Sequence, residues 1–197
     1  IPKSPAALGR ELALAVHDER LPESVREIVR AAREHLDLLQ QRIAECDRAI
    51  GLACRNDPAT RRLQELCGVG PTGADAAVAT IGDARAFRNG RQFAAWLGLT
   101  PRQFSSGGTT RLGSITRRGD AYLRTLLIQG ARSAVKSAMR CPPERASRLQ
   151  QWIVQLQARV GYQKALVAIA NKNARVIWAL LARDESYNPE AWKQYQH

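Results

Sequence analysis

A chain of 197 residues with 45% hydrophobic content can bury a core as one domain or two small ones. Its 30 Lys and Arg against 18 Asp and Glu give a formal net charge of +12, which points to a polyanionic partner, nucleic acid or an acidic membrane surface. No apolar run approaches the roughly 20 residues a bilayer span needs, and the opening "IPKSPAALGRELAL" lacks the basic-then-apolar order of a signal peptide, so a cytoplasmic protein without membrane contact is expected.

In chain order, Ser4 is placed to cap a first helix begun by Pro5 and stopped at Leu21-Pro22. From Pro22 the chain runs without Gly or Pro until Gly51. Val25, Val29, Ala32, Leu36, Leu39, Ile43, Cys46, Ile50 and Ala53 follow each other in steps of four and three. That heptad seam predicts a coiled-coil arm over residues 22–55 that makes a dimer or tetramer; a long helix packed on its own domain is the other reading.

Asp57 then caps a helix begun by Pro58 and ended by Gly68, with another starting near Pro71. Leu63, Leu66, Gly68, Val69, Gly70, Ala74 and Val78 fit the pattern of a helix-hairpin-helix. In such a motif two glycines allow a tight turn, and the N–H groups opening the second helix can hold a phosphate. A plain glycine-capped helical corner satisfies the same pattern. A further helix is predicted over "GRQFAAWLGL", with Phe93, Trp96 and Leu97 on its core side.

The stretch "PRQFSSGGTTRLGSITRRGD" interrupts the helices, and Pro101, Gly107, Gly108 and Gly113 predict a loop or short hairpin. Helical periodicity resumes after Gly119, with Leu123, Leu126, Leu127, Ala131, Ala134 and Ala138 inward and Arg117, Arg124 and Arg132 roughly on one other face. Residues 101–140 hold eight basic residues against one acid, Asp120, so a fifth of the chain carries +7 of its +12. Arginine dominates, which suits bidentate phosphate contacts. Two more helices follow, ending at Gly161 and near "ARDESYNP"; Asn171, Lys172, Asn173 and Arg175 form a second polar stretch in the last of them. The four cysteines, Cys46, Cys54, Cys67 and Cys141, form no C-x-x-C pair and have no His at ligand spacing, so no metal site is predicted and free thiols are expected.

The combined order G-V-G-P, F-x-x-G-R-Q-F-A-A-W-L-G-L-T-P, S-S-G-G, R-R-G-D and Y-L-R, from about Leu63 to Ala138, resembles the C-terminal transposase domain of the insertion sequence 110 family, which includes the 116 and 902 types. The resemblance implies a DNA recombinase of mobile elements, directed in some members by a structured guide RNA. It implies a serine that attacks the DNA phosphodiester; the serine preceding a glycine matches Ser106, with Ser105 its neighbour and competitor. Two positions depart from the family pattern. Thr109 stands where a basic residue is usual, and Arg117 replaces a lysine. The resemblance also implies an N-terminal RuvC-like domain whose acids hold Mg²⁺, and no such half is recognised in this chain, so no cofactor is expected within it. The chain is therefore expected to be a C-terminal portion, inactive alone.

The expected fold is all-α: a coiled-coil arm over 1–57, a serine domain over 58–140 with a helix-hairpin-helix-like element and an irregular serine loop, and C-terminal helices over 141–197 packing on it. The candidate site comprises Ser106 and Ser105 as nucleophiles. Gly68, Gly70, Arg102, Arg111, Arg117, Arg118, Arg124 and Arg132 are the candidate nucleic-acid contacts. A non-catalytic helix-hairpin-helix binding module and a coiled-coil dimerisation protein are the alternatives.

Overall fold

A computed structural model describes residues 4–106 and 109–189, without the side chains of residues 105, 106, 109 and 110. Among the described residues there are eight α-helices and one two-stranded sheet. The chain divides into two compact units, residues 1–50 and 51–197.

The first unit holds α1 (Pro5–Val16) and most of α2 (Glu23–Asn56). Ser4 caps α1 by accepting the Ala7 N–H at 3.2 Å. The helix stops five residues before the expected Leu21, because Asp18 takes both the Arg20 backbone N–H (3.0 Å) and its guanidinium (2.8 Å), a local arrangement that competes with a further helical turn. Helix α2 runs through Gly51, which one glycine permits in so long a helix, and ends where Asp57-Pro58 forces a stop. Its seam is largely open: Leu39 and Ile43 are 44% and 60% exposed.

In the second unit, α3 (Pro58–Gln64) and α4 (Pro71–Ile81) form the predicted pair. Asp57 caps α3 through the N–H groups of Ala59 and Thr60, at 3.2 and 2.9 Å. Burial works to raise the Asp57 pKa, but those N–H bonds and nearby Arg62 hold it below the ordinary aspartate range. Helix α3 ends at Gln64, short of Gly68, because residues 65–70 tighten into turns in which Val69 N–H donates to Leu66 O. Helix α5 spans Gly90–Trp96, capped by Asn89. Phe93 and Leu97 are buried as expected, whereas Trp96 sits at the rim, 39% exposed, with its ring stacked 5.9 Å from that of Phe93.

Of the irregular loop or short hairpin expected here, the structure has the hairpin's strands, an antiparallel ribbon of β1 (Pro101–Ser106) and β2 (Thr109–Ile115). The reason is visible in the residues: a Gly-Gly pair sits between two runs that alternate and include β-branched Thr109, Thr110 and Ile115, a hairpin pattern. Gly107 and Gly108 lie outside the described residues.

Helix α6 (Ala121–Arg140) is the central strut, burying Leu123, Leu127, Ala131, Ala134, Val135 and Ala138. Leu126, expected inside, is half-buried. Helices α7 (Arg148–Val160) and α8 (Tyr162–Arg183) complete one core shared with α3–α6. Helix α7 opens with a reciprocal Ser147–Gln150 capping box. By length and composition alone α8 is long and apolar enough to cross a membrane, although Asn171, Lys172, Asn173 and Arg175 interrupt its apolar residues. Its Ala165, Leu166, Ile169, Ala170, Ala174, Ile177 and Leu180 are instead spent on the protein core. Asn171 and Asn173, part of the second polar stretch read from the sequence, are structural: their amides donate to Leu99 O (3.2 Å) and Cys67 O (3.1 Å).

Candidate nucleic-acid interface

The serine ribbon leaves the core between the end of α5 and the start of α6, where two backbones press together. Gly98 has φ +70°, and a Cβ there would lie 2.6 Å from Arg118 N; a Cβ on Gly119, at φ +83°, would strike the Trp96 carbonyl. Only glycine meets both demands, left-handed backbone and no side chain. Thr116 N–H donates to Thr100 O at 2.9 Å and Arg117 N–H to Gly98 O at 3.2 Å, closing the base of the ribbon. Asp120 then caps α6 through the Leu123 N–H at 2.5 Å. These contacts make the ribbon a projection from a rigid seat.

Along the ribbon, Phe104 pairs with Arg111, Ser105 with Thr110 and Ser106 with Thr109. Alternation puts positions 104, 106, 109 and 111 on one face and 103, 105, 110 and 112 on the other. The side chains of Arg102, Phe104, Arg111 and Leu112 are exposed, Phe104 by 62%. Gly113 makes room for the Phe104 ring, since a Cβ there would come 3.0 Å from its edge. Phe104 was not among the residues singled out from sequence, yet an aromatic between arginines in an alternating run is the signal that marks it.

The predicted basic residues fall into three groups. Arg102 and Arg111 stand on the ribbon, and Arg117 and Arg118 stand exposed at its base. Arg117 holds φ +56°, a left-handed conformation costing about 1–2 kcal/mol for a residue with a Cβ. Arg124 has a different position from the one its periodicity predicts: its Nη1 donates to Leu97 O, Arg118 O and Asp120 O at 3.0, 3.3 and 3.4 Å. It clasps the seat of the ribbon. Arg132 is exposed farther along α6. Among the described residues Arg102, Arg111, Arg117, Arg118 and Arg132 make no ion pair, so their charge is uncompensated locally.

The two predicted glycines of the helix pair separate in role. Gly68, at φ +87°, faces the core: a Cβ would lie 2.8 Å from the Gly130 carbonyl carbon of α6. Gly70 is open, and it caps α4 without any side-chain hydrogen bond. A groove of about 530 Å³ runs between this turn and α6, lined by Gly70, Thr72, Gly73, Gln129 and Ser133 among others, none of them charged. A phosphate there would meet the N–H groups of the first turn of α4 and no cation. Gly130, opposite Gly68, lies ten residues beyond Asp120 on α6, about 15 Å at 1.5 Å per residue.

Residues 60–147, from α3 through the ribbon and α6, match the model of the transposase IS116/IS110/IS902 family. The chain carries the transposase domain of that family. It is 46% identical over 91% of its length to a probable family 20 transposase of Pseudomonas aeruginosa. It is also 42% identical over 64% of its length to the transposase for insertion sequence element IS1111A of Coxiella burnetii, and 30% identical over 88% to that for IS1328 of Yersinia enterocolitica. The chain spans 52%, 34% and 51% of these three relatives, about half of their length or less. The transposase match thus coincides with the elements that build and seat the serine ribbon, and α7 and α8 lie beyond it.

Proposed function

We propose that this transposase domain binds DNA along the serine ribbon and supplies Ser106 as the nucleophile for strand cleavage and exchange. The observation that carries the reading is the ribbon itself: the strands that carry Ser105 and Ser106 leave a rigid seat, and among the described residues the arginines on both strands and at the base make no ion pair. Register supports Ser106 over Ser105, because position 106 shares its face with Phe104 and Arg111.

In the proposed step the Ser106 hydroxyl oxygen attacks the phosphorus of a DNA phosphodiester. The new Oγ–P bond forms as the bond from phosphorus to one sugar oxygen breaks, and that oxygen leaves on the released end. Charge grows on the non-bridging oxygens, where Arg102, Arg111, Arg117 and Arg118 are the candidates to stabilise it. The hydroxyl proton needs an acceptor. Asp120 is the one acid between residues 101 and 140, and it is occupied as the cap of α6. The acceptor therefore comes from elsewhere, which fits a composite site completed by the RuvC-like domain that the family resemblance implies, with its Mg²⁺. A structured guide RNA is the second partner in this reading.

DNA binding is the first test. Phe104→Ala should weaken single-stranded DNA binding by about 1–3 kcal/mol if a base stacks on the ring. Arg102→Gln/Arg111→Gln should flatten the dependence of log affinity on log salt by about 1.4, at roughly 0.7 per phosphate contact on a single strand. Unchanged affinity and slope in both variants would remove the ribbon from the interface.

The open seam on α2 supports assembly of copies through this helix, so that serines are presented to more than one DNA strand. Ile43 is 60% exposed, so Ile43→Glu costs the single chain little; it should convert a dimer or tetramer to monomer in sedimentation equilibrium. A wild-type chain that sediments as a monomer at high concentration would contradict this.

A further inference from the structure

A second strongly basic feature lies away from the ribbon. A cavity of about 570 Å³ opens between the start of α5 and the C-terminal half of α8. Arg91, Lys172, Arg175 and Arg183 line it, against one acid, Glu185. On α8, residues 172, 175 and 183 differ by three and eleven positions, so they share one helix face. Arg91 comes from α5 and lines the same opening.

The walls are fixed. Gly90 is buried, and a Cβ there would lie 2.9 Å from Arg175 O, so α5 meets α8 at backbone contact. Trp178 also lines the cavity, and its indole N–H donates to Ala84 O and Phe87 O at 2.9 and 3.2 Å, locking the ring. Lys172 stands 5.5 Å from the centre of the Trp152 ring. Burial, and then the neighbouring Arg175 charge, push the Lys172 pKa below its ordinary value.

Like charges gathered in one recess repel, and among the described residues no acid is ion-paired with Arg91, Arg175 or Arg183. Asp184 is taken by Arg62, at 2.5 Å. Three arginines lining one recess are suited to the oxygens of a phosphate. Helix α8 also reaches the seat of the ribbon. Asn171 bonds to Leu99 just before β1, and Arg183 lies twelve residues farther along α8, about 18 Å at 1.5 Å per residue.

We propose that this cavity is a second phosphate-binding site, which holds the sugar–phosphate backbone of a nucleic-acid strand on the α5–α8 side of the domain. The proposal rests on the reading of the chain as a nucleic-acid-binding transposase domain, and it adds a site that the ribbon does not require. A strand engaged at the ribbon would be anchored again along α8, or a separate RNA strand would occupy the recess.

The test uses the 197-residue chain and fluorescence anisotropy with a labelled DNA single strand and, separately, an RNA of the same sequence. The cavity variant is Arg91→Gln/Arg175→Gln/Arg183→Gln. A control of equal charge loss is Arg145→Gln/Arg148→Gln/Arg159→Gln, and thermal melts establish that both fold. The cavity variant should bind more weakly, with a log–log salt slope flatter by about 2, at about 0.7 per lost phosphate contact. The control should change little. A loss confined to DNA, or to RNA, supports the site and names its strand. Wild-type slope and affinity in the cavity variant, or an equal loss in the control, would overturn the proposal while leaving ribbon binding intact. Failure of the wild-type chain to bind either strand would overturn both this proposal and the functional reading beneath it.

Discussion

Gly130→Ala is expected to destabilise the second unit by about 3 kcal/mol or more, beyond the usual 1–3 kcal/mol of overpacking. On helix propensity alone the sign would be opposite, because alanine is about 1 kcal/mol better than glycine in a helix interior. Packing wins here because the added methyl would strike the Gly68 carbonyl, which is backbone and cannot swing aside. Gly68 in turn stands at φ +87° with its own Cα side against Gly130, so neither chain has room to retreat. At Gly51, also inside a helix, an added Cβ would meet nothing within 4 Å. Gly51→Ala should therefore stabilise by about 0.5–1 kcal/mol. The same substitution in two helices then carries opposite signs. A melt in which Gly130→Ala matches wild type would contradict the close packing of the Gly68 turn on α6; the expected fall in Tm is about 6–12 °C.

That close contact also explains why Gly68 reads ambiguously in the sequence. Leu-Cys-Gly-Val-Gly-Pro matches a phosphate-binding turn and a tight helical corner equally well, since both need a left-handed glycine. The partner that decides is Gly130, sixty-two residues away, and no local pattern connects the two. Gly70, which stays open, keeps the phosphate-binding possibility at the start of α4.

Local signals fared better where capping and turn chemistry act within a few residues. Ser4, Asp57 and Asp120 each accept the backbone N–H expected of a helix cap. The breaks at Pro58, Pro71 and Gly161 stand at helix boundaries for the reasons proline and glycine usually do. Long-range roles were less legible. Arg124 has the spacing of a surface arginine, but the carbonyls that capture it come from Leu97 and Arg118 as well as from its own helix. Asn173 looks polar in sequence because nothing nearby announces Cys67 O, the acceptor that makes its burial tolerable. Arg91 and Arg183 are ninety-two residues apart in the chain and meet only through the packing of α5 on α8.

The ribbon shows both limits. Its strands follow from alternation and the glycine pair, whereas the joint exposure of Arg102, Phe104 and Arg111 follows from the Gly98 and Gly119 contacts that push it off the core. This geometry makes the second large prediction specific. If Ser106 is the nucleophile, Ser106→Ala removes the only atom that can form the covalent bond, and the DNA-linked intermediate should fall to background. Arg111→Gln should leave the nucleophile in place and lower cleavage by about 10²–10³, the usual cost of losing one charge-stabilising donor in a transition state. Binding should fall only modestly in both. Ser105→Ala should behave as wild type, because position 105 lies on the face opposite Arg111 and Phe104.

The most direct measurement is capture of that intermediate. The full-length transposase, including the RuvC-like domain that the family resemblance implies, is incubated with guide RNA, Mg²⁺ and donor and target DNA, then denatured and resolved on a gel for protein covalently attached to DNA. An adduct in wild type and in Ser105→Ala, absent from Ser106→Ala although DNA binding is retained, is the predicted result. An adduct that persists in Ser106→Ala would contradict the assignment of the nucleophile on which this account of the ribbon depends.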